Sequence, residues 1–374
     1  MSETVRGTPA WLRTTNDRTA LGLLLQHGPL TRNRLGELSG LSKPTAAQMV
    51  ARLEEAGLIR VDGEISNGRG PNAVSYAVRA DRVLGVAIDV SSSRITATVV
   101  DATGTEHPVA ELPLAPDTER TAVSDVRGAI AAACDAAGIR HDAVRLVCIG
   151  VQAAVAQRAD ELSFTDTLPG WPTTGIRAHL ERELGVSVTL DNDANLAAVA
   201  ERAAGSADAV DGFALLWMGE GLGLAIDVSG RIYRGAAGGS GEIGYLPVPE
   251  EGKALDPEAP TLTEFFGAAA WTRLRDTPDA VAALAERVAL GLVPVLAVLD
   301  PERIVLGGPT GREGGERLAA LVGQRLAAST QWRPDVVATA VADHPVLRGA
   351  REVLIADVHS RLFEDVARIT DGSI

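Results

Sequence analysis

The sequence has little of what marks a secreted, metal-binding or membrane protein. Its 374 residues include only two cysteines, Cys134 and Cys148, and neither has a CxxC partner or a histidine at metal-ligand spacing. Two isolated thiols in apolar surroundings indicate reduced core cysteines in a cytoplasmic protein, and no metal site. The chain lacks both an apolar N-terminal segment and an uninterrupted apolar run of about 18 residues. We therefore expect neither a signal peptide nor a membrane span.

Positive charge is scarce overall but is concentrated at one end. The net charge is −14, yet residues 1–80 carry ten Lys or Arg against seven Asp or Glu, whereas residues 81–374 carry 25 against 42. A strongly acidic surface repels nucleic acid, so any DNA contact should be confined to the basic end. We predict a small head over residues 1–80 and an acidic body over residues 81–374.

The head has the pattern of three helices followed by a hairpin. Apolar spacing and capping residues predict helices over residues 16–27, 31–39 and 42–55, with Thr31 and Ser42 as N-caps and Leu35 and Leu38 facing inward. A short strand at Leu58–Val61, a glycine-rich loop and a return strand at Ala73–Val78 follow. This order predicts a winged helix-turn-helix.

The third predicted helix has a face suited to a DNA groove. The residues assigned to that face are Lys43, Thr45, Ala46, Gln48, Met49 and Arg52. Gln48 can pair with adenine, Arg52 with guanine or phosphate, and Arg69 in the hairpin loop can enter a minor groove. A three-helix protein-interaction module with a solvated polar face is the alternative.

The body alternates strands and helices, which predicts an α/β class. Strands are predicted at residues 83–90, 94–101, 144–151 and 186–190, with a helix at residues 121–137. The apolar helices predicted at Ala280–Leu299 and Leu347–Phe363 can supply core or dimer surface.

Four segments of the body occur together in a distinctive order. They are Leu168-Pro169-Gly170-Trp171, the run Leu190–Asn195 with Glu201 beyond it, the run Arg234–Gly244, and Ile304–Gly308. Together they resemble the ROK family of repressors and sugar kinases, whose repressors also carry an N-terminal winged helix. The resemblance implies a two-lobed, actin-like sugar-kinase fold, with lobes at about 81–200 plus 345–374 and at 201–344.

Polar residues in these segments are candidates for a sugar site. Asn192 and Asp193 follow a strand and precede a helix, where α/β folds bind ligands, and an amide beside a carboxylate suits sugar hydroxyls. The alternative is an Asx turn that only caps the helix. The resemblance adds Glu242 and, through a looser match, Glu264; in the family's kinases the residue matching Asp193 is the general base.

The phosphate-binding loops depart from the pattern of the family's kinases. Their Gly-Gly-Thr turn is replaced by the serines that follow Asp89, and Glu220 stands where the family usually has threonine. A carboxylate beside a triphosphate is strongly repelled. The cysteines of the family's zinc motif are missing and Tyr245 replaces its histidine. We therefore expect no kinase activity, no metal and no cofactor, with Tyr245 either contacting a sugar or plugging the pocket.

These observations predict a cytoplasmic transcription regulator, and more specifically a repressor, that binds a palindromic operator as a homo-oligomer and responds to a sugar or related metabolite. Two alternatives stay open. One is an active ATP-dependent sugar kinase, which Asp193 favours, and the other is a DNA-binding protein whose pocket serves only assembly, which Tyr245 favours.

Overall fold

The computed structural model describes residues 8–65, 73–165 and 167–370. The head is built, in chain order, from α1 (Pro9–His27), β1 (Leu30–Thr31), α2 (Arg32–Ser39), α3 (Lys43–Glu55), β2 (Ile59–Ile65) and β3 (Ala73–Val78). β3 is the central strand, with β1 and β2 antiparallel on its two sides. The predicted winged helix-turn-helix is confirmed. β1 was not predicted, because two residues are too few to show a periodicity.

Side-chain caps define the helix starts in the head. Thr31 and Ser42 each accept a hydrogen bond from the backbone N–H three residues later, as their sequence positions predict. α1 begins seven residues before the predicted start at Asn16, because Thr8 caps it in the same way and Pro9 occupies the first turn. Leu38, predicted to face inward, is 36% exposed, whereas Leu35 is fully buried.

The first sheet of the body has five strands in the order β10-β7-β4-β5-β6. Its elements, with the helices and the short hairpin between them, are β4 (Leu84–Val90), β5 (Arg94–Val100), β6 (Ala110–Pro113), α4 (Ala122–Ala137), β7 (Val144–Val151), β8 (Ala154–Ala156), β9 (Glu161–Ser163), α5 (Ile176–Leu184) and β10 (Ser187–Asn192). β10, β7 and β4 run parallel, so the carboxyl ends of these three strands meet at one edge of the sheet.

The second sheet also has five strands, in the order β13-β12-β11-β14-β15. The chain enters it through α6 (Asp193–Ala204) and continues through β11 (Gly212–Met218), β12 (Leu222–Val228), β13 (Arg231–Ile232), α7 (Glu250–Lys253), α8 (Leu262–Phe266), α9 (Ala268–Leu274), α10 (Ala280–Leu299), β14 (Arg303–Gly307), α11 (Gly308–Ser329), β15 (Asp335–Ala338) and α12 (Pro345–Thr370). Two α/β sheets agree with the predicted fold class. The predicted domain and lobe limits stay a prediction.

α12 returns to the first sheet and connects three parts of the molecule. It packs against β4 and β7, against α6, and against α1 of the head. A Cβ atom on Gly349 of α12 would lie 1.8 Å from the carbonyl oxygen of Leu196 in α6, so only glycine permits this close approach. On the other side, the Arg18 guanidinium of α1 donates to the carbonyl oxygen of Phe363.

α10 has the bounds predicted from its apolar run. By length and composition alone it could cross a membrane. Within the fold it is a core helix that packs against α11, α8 and α9, and Leu284, Val288 and Leu292 are fully buried. Its apolar character is therefore explained by the core of the second sheet.

Candidate nucleic-acid interface and ligand cleft

The outer face of α3 carries fewer free side chains than its sequence pattern predicts. Lys43 and Gln48 are exposed and have no hydrogen-bond or ion-pair partner within the described parts of the chain. Thr45 is half-buried, and its hydroxyl is 2.8 Å from that of the capping Ser42. Lys43 and Gln48 are thus the polar groups of this face that are available to a partner.

Two residues predicted on that outer face are in the core instead. Ala46 is 1% exposed and Met49 is fully buried, beside Val50 and Leu53. Positions 46, 49, 50 and 53 follow the i, i+3, i+4, i+7 spacing of one helical face, and this face packs on α1 and α2. The assignment of Ala46 to a groove contact was therefore wrong.

Arg52 is not presented to a partner either. Its guanidinium makes a bidentate ion pair with Asp17 of α1, with Nε–Oδ2 and Nη2–Oδ1 distances of 3.0 and 2.6 Å. The Asp17 side chain is 3% exposed, so this carboxylate depends on Arg52 for its charge partner. The prediction that Arg52 contacts a base or a phosphate was therefore wrong. Its guanidinium instead links α3 to α1. Arg69 lies outside the described residues, and its minor-groove contact stays a prediction.

The five residues predicted for a sugar site surround one cleft. Asn192, Asp193, Glu242, Tyr245 and Glu264 all line a cavity of about 450 Å³, a volume within the range of ~300–1,000 Å³ that ligand pockets occupy. The cleft forms at the carboxyl end of β10, where α6 begins, and it is also lined by Glu220, Leu222 and Leu224 from β12 and the turn before it. Binding of a sugar by these residues stays a prediction.

Asn192 and Asp193 have different roles in the fold. The Asn192 Oδ1 caps α6 by accepting from the backbone N–H of Asn195 at 3.2 Å, and its Nδ2 donates to the Ala153 carbonyl oxygen at 3.2 Å. The capping interpretation is therefore correct for Asn192. The Asp193 Oδ1 accepts from the N–H of Ala194 at 2.8 Å, and the Asp193 carboxyl group also accepts from its own backbone N–H.

Gln152 also lines the cleft, and the sequence analysis missed it. It follows β7 directly, so it has the same signal that identified Asn192 after β10: a polar residue at the carboxyl end of a parallel strand. Its Oε1 atom is buried and makes no hydrogen bond with the described residues.

Several carboxyl groups of the cleft are hard to ionise. Burial, followed by the nearby Asp89 and Glu242, raises the pKa of Asp193 to about 7. Burial likewise raises the pKa of Asp89 to about 7 and raises that of Glu242. Near neutral pH part of this cluster is protonated, so Asp193 can act as a hydrogen-bond donor as well as an acceptor.

We expect Asp193→Asn to stabilise the protein at alkaline pH. Because the pKa of Asp193 is raised above the value of 3.8 that applies when unfolded, the folded state holds a proton that the unfolded chain has released. The stability that this bound proton gives to the folded wild type is fully present below pH 3.8 and is lost as the pH rises through about 7. The advantage of the variant over wild type should be roughly 2–3 kcal/mol larger at pH 8 than at pH 5, and thermal unfolding at the two pH values measures the difference.

The exposed Asp208 provides the matched control, since Asp208→Asn makes the same chemical change outside the cleft. It should leave the pH dependence of the melting temperature unchanged. Equal loss of stability between pH 5 and pH 8 in wild type and Asp193→Asn would show that Asp193 ionises freely in the folded state.

A hydrogen bond connects the turns of the two sheets beside the cleft. Ser92, in the turn between β4 and β5, donates a hydrogen bond to Glu220, in the turn between β11 and β12. Glu220 also lines the cleft, together with Asp193, Glu242 and Glu264, and no Lys or Arg side chain of the described residues lines it. None of the described Lys or Arg side chains is therefore placed to neutralise a triphosphate bound there.

Two aromatic rings lie at the rim of the cleft. Tyr245 is 54% exposed and Phe164 is 44% exposed, and their ring centroids are 4.6 Å apart with a tilt of 37°. The cleft retains its volume beside Tyr245, so this ring lines the site without filling it. Phe164 was not predicted, because no sequence pattern places it beside a residue 81 positions later.

No group of three or more His, Cys, Asp or Glu side chains with the geometry of a metal site occurs in residues 8–65, 73–165 and 167–370. Cys134 and Cys148 are both buried free thiols in the first sheet and its helix layer.

Comparison with known proteins identifies related sequences for both parts of the chain. Residues 85–259 match the ROK family, and residues 13–60 match the winged helix-turn-helix DNA-binding family. The chain is 24% identical over 256 residues to the xylose repressor of Bacillus spizizenii, across 65% of this chain and 62% of that protein. The matched region is thus less than two thirds of that relative.

Two crystal structures have a similar fold. One, a ROK family transcriptional regulator described as a homolog of the E. coli MLC protein, has a TM-score of 0.65 and is 17% identical, covering 96% of this chain and 99% of its own. The other is a ROK family glucokinase from Streptomyces griseus in complex with glucose and AMPPNP, with a TM-score of 0.56 and 22% identity, covering 72% and 98%. The regulator is matched over nearly the whole chain, whereas the kinase leaves more than a quarter unmatched.

Proposed function

Since this chain joins a ROK-family domain to an N-terminal winged helix-turn-helix, we propose that it is a sequence-specific, DNA-binding transcription repressor that responds to a sugar or related metabolite. The observation that carries the proposal is that one chain has both an exposed α3 face, on which Lys43 and Gln48 have no partner among the described residues, and a polar cleft in the body. The similarity to a xylose repressor and to a ROK family transcriptional regulator supports the same assignment.

The head supplies the DNA contact in this proposal. α3 follows α2 across the tight Gly40 turn, and the β2–β3 hairpin lies beside them. Such a helix enters the major groove, where Gln48 can read a base edge while Lys43 neutralises a phosphate. A two-fold homo-oligomer would place two such helices about 34 Å apart, or a multiple of that, on a palindromic operator.

The helices α6, α12 and α1 connect the cleft to the head. α6 begins at the cleft with Asp193, α12 packs on α6, and α1 packs on α12 through Arg18 and Gly22. An ion pair from Arg82, between head and body, to Asp365 of α12 adds a second connection. A ligand that changes the position of α6 can therefore reorient the heads, and a tenfold change in operator affinity requires about 1.4 kcal/mol of differential binding.

We propose that the ROK domain has lost kinase activity and that the protein acts in the cytoplasm. Glu220 places a carboxylate in the phosphate region, and its bond with Ser92 occupies the gap between the two sheets. A sugar kinase is the second candidate, because Asp193 is buried at the carboxyl end of β10 and lines the cleft. Its raised pKa suits a proton acceptor near neutral pH.

Genome-wide DNA capture with the purified full-length protein tests the regulator, followed by fluorescence anisotropy on the recovered sequence with and without a panel of pentoses and hexoses. We expect a recurrent palindrome and at least a tenfold loss of affinity with one sugar. Incubation of the same panel with ATP and Mg²⁺ should give no ADP above background. Salt-sensitive binding without a motif would contradict the regulator, and ADP formation that depends on one sugar and is lost in Asp193→Asn would establish the kinase.

A further inference from the structure

The cleft is acidic and lacks a countercharge. Four carboxyl groups line it, on Asp193, Glu220, Glu242 and Glu264, and no Lys, Arg or His of the described residues does so. Arg234, which opens the glycine-rich segment beside the cleft, is committed to a bidentate ion pair with the buried Asp191. No basic side chain of the described residues therefore neutralises the cleft.

One buried acceptor of the cleft has no donor among the described residues. The Oε1 of Gln152 is buried without a hydrogen-bond partner there. Asp193 is 9% exposed, and its carboxyl group accepts from the backbone N–H groups of Ala194 and of Asp193 itself, whereas Glu220 is exposed and accepts from Ser92. A buried acceptor costs free energy unless a donor reaches it, so the site favours a ligand that brings a donor to Gln152.

An ammonium group meets both requirements. It carries one positive charge on a compact centre with three N–H donors and no acceptor. The raised pKa values of Asp193 and Glu242 show that negative charge is unfavourable there when no cation is present. The Phe164 and Tyr245 rings at the rim add faces that attract cations and the apolar face of a sugar ring.

Taking the cleft as the effector site of the proposed function, we propose that it selects a polyhydroxylated amine in its ammonium form, of the amino-sugar class, and rejects phosphorylated sugars. The carboxylates Asp193, Glu220 and Glu242 receive the ammonium. The remaining hydroxyls of the ligand bond the Thr and Ser side chains that line the same cavity, Thr167, Ser240, Thr261 and Thr263. A phosphate would lie beside these carboxylates, with no Lys or Arg of the described residues lining the cavity, and would be repelled.

Isothermal titration calorimetry of the full-length protein, without DNA and in an amine-free buffer at pH 7, tests the proposal with a matched series. The ligands are glucose, its 2-amino, 3-amino and 6-amino deoxy analogues, the N-acetyl derivative of each amine, and glucose 6-phosphate. We expect at least one amine to bind tenfold or more tightly than both glucose and its own N-acetyl derivative. Glucose 6-phosphate should bind more weakly than glucose.

Carboxylate variants identify the groups responsible. Glu220→Gln and Glu242→Gln should each weaken the binding of the amine about tenfold more than the binding of glucose. Glu251→Gln makes the same change on α7, on an exposed residue outside the cleft, and should leave the preference intact.

Equal or tighter binding of glucose or of the 6-phosphate, or no binding by any member of the series, would overturn the proposal. Those outcomes leave the operator affinity of the head unaffected, because it is measured without ligand. An absence of any operator would instead contradict the proposed regulator and leave the ligand preference standing.

Discussion

Gln48→Ala is expected to weaken binding to the specific operator by about ten- to a hundredfold, with little change in binding to unrelated DNA. Gln48 is exposed on α3 and has no partner within the described residues, and a glutamine amide can bond adenine N6 and N7 together. A bidentate base contact of this kind is worth about 1–3 kcal/mol of discrimination. Fluorescence anisotropy with the captured operator and a scrambled duplex of equal length measures both affinities.

Two further variants distinguish the loss of a base contact from the loss of a phosphate contact and from a general effect on folding. Gln26→Ala makes the same change on an exposed position of α1 and should leave operator binding unaltered. Lys43→Ala should weaken binding to both duplexes and lower the slope of log affinity against log salt by about 0.9. If Gln48→Ala bound the operator as tightly as wild type, α3 would not be the helix that reads bases through this residue.

Arg52→Ala is expected to abolish DNA binding because it unfolds the head. Removal of the guanidinium leaves the Asp17 carboxylate, whose side chain is 3% exposed, without its bidentate partner. Loss of one partner of a buried pair costs about 3–5 kcal/mol, which is a large part of the stability of a small domain. Hydrogen exchange read on peptides from residues 9–55 should show faster exchange throughout α1 and α3.

A double variant distinguishes this structural role from a DNA contact. Asp17→Leu combined with Arg52→Met replaces the pair by apolar groups of similar size, and it should restore both slow exchange and operator binding. A head that stays protected in Arg52→Ala but no longer binds its operator would show that the guanidinium contacts DNA.

Elements whose signal lies within a few neighbouring residues could be predicted from the sequence. The caps Thr31 and Ser42, the return strand Ala73–Val78 and the helix Ala280–Leu299 all have the predicted positions. Capping, alternation and apolar periodicity act over at most a few helical turns. The residues that make these interactions are close together in the sequence, so no distant partner is needed to identify them.

Residue orientation in the head depended on distant partners. Arg52 has the sequence position of an arginine that faces a DNA groove, but its guanidinium is paired with Asp17, 35 positions earlier. Ala46 was assigned outward because small residues suit a groove, whereas α1 and α2 pack over it. A helix with short side chains on two faces does not specify which face is buried until its neighbours are in place.

The sequence by itself determined the winged head, the α/β body and the five residues expected at a sugar site. The tertiary structure decided that these five share one cleft with Gln152, Phe164 and Glu220, and that no lysine or arginine of the described residues joins them. The charge of a cleft is a sum over side chains from many elements, and burial then sets how each of them ionises. Neither the sum nor the burial exists before the two sheets are brought together, which is why the ligand preference could be inferred only from the folded chain.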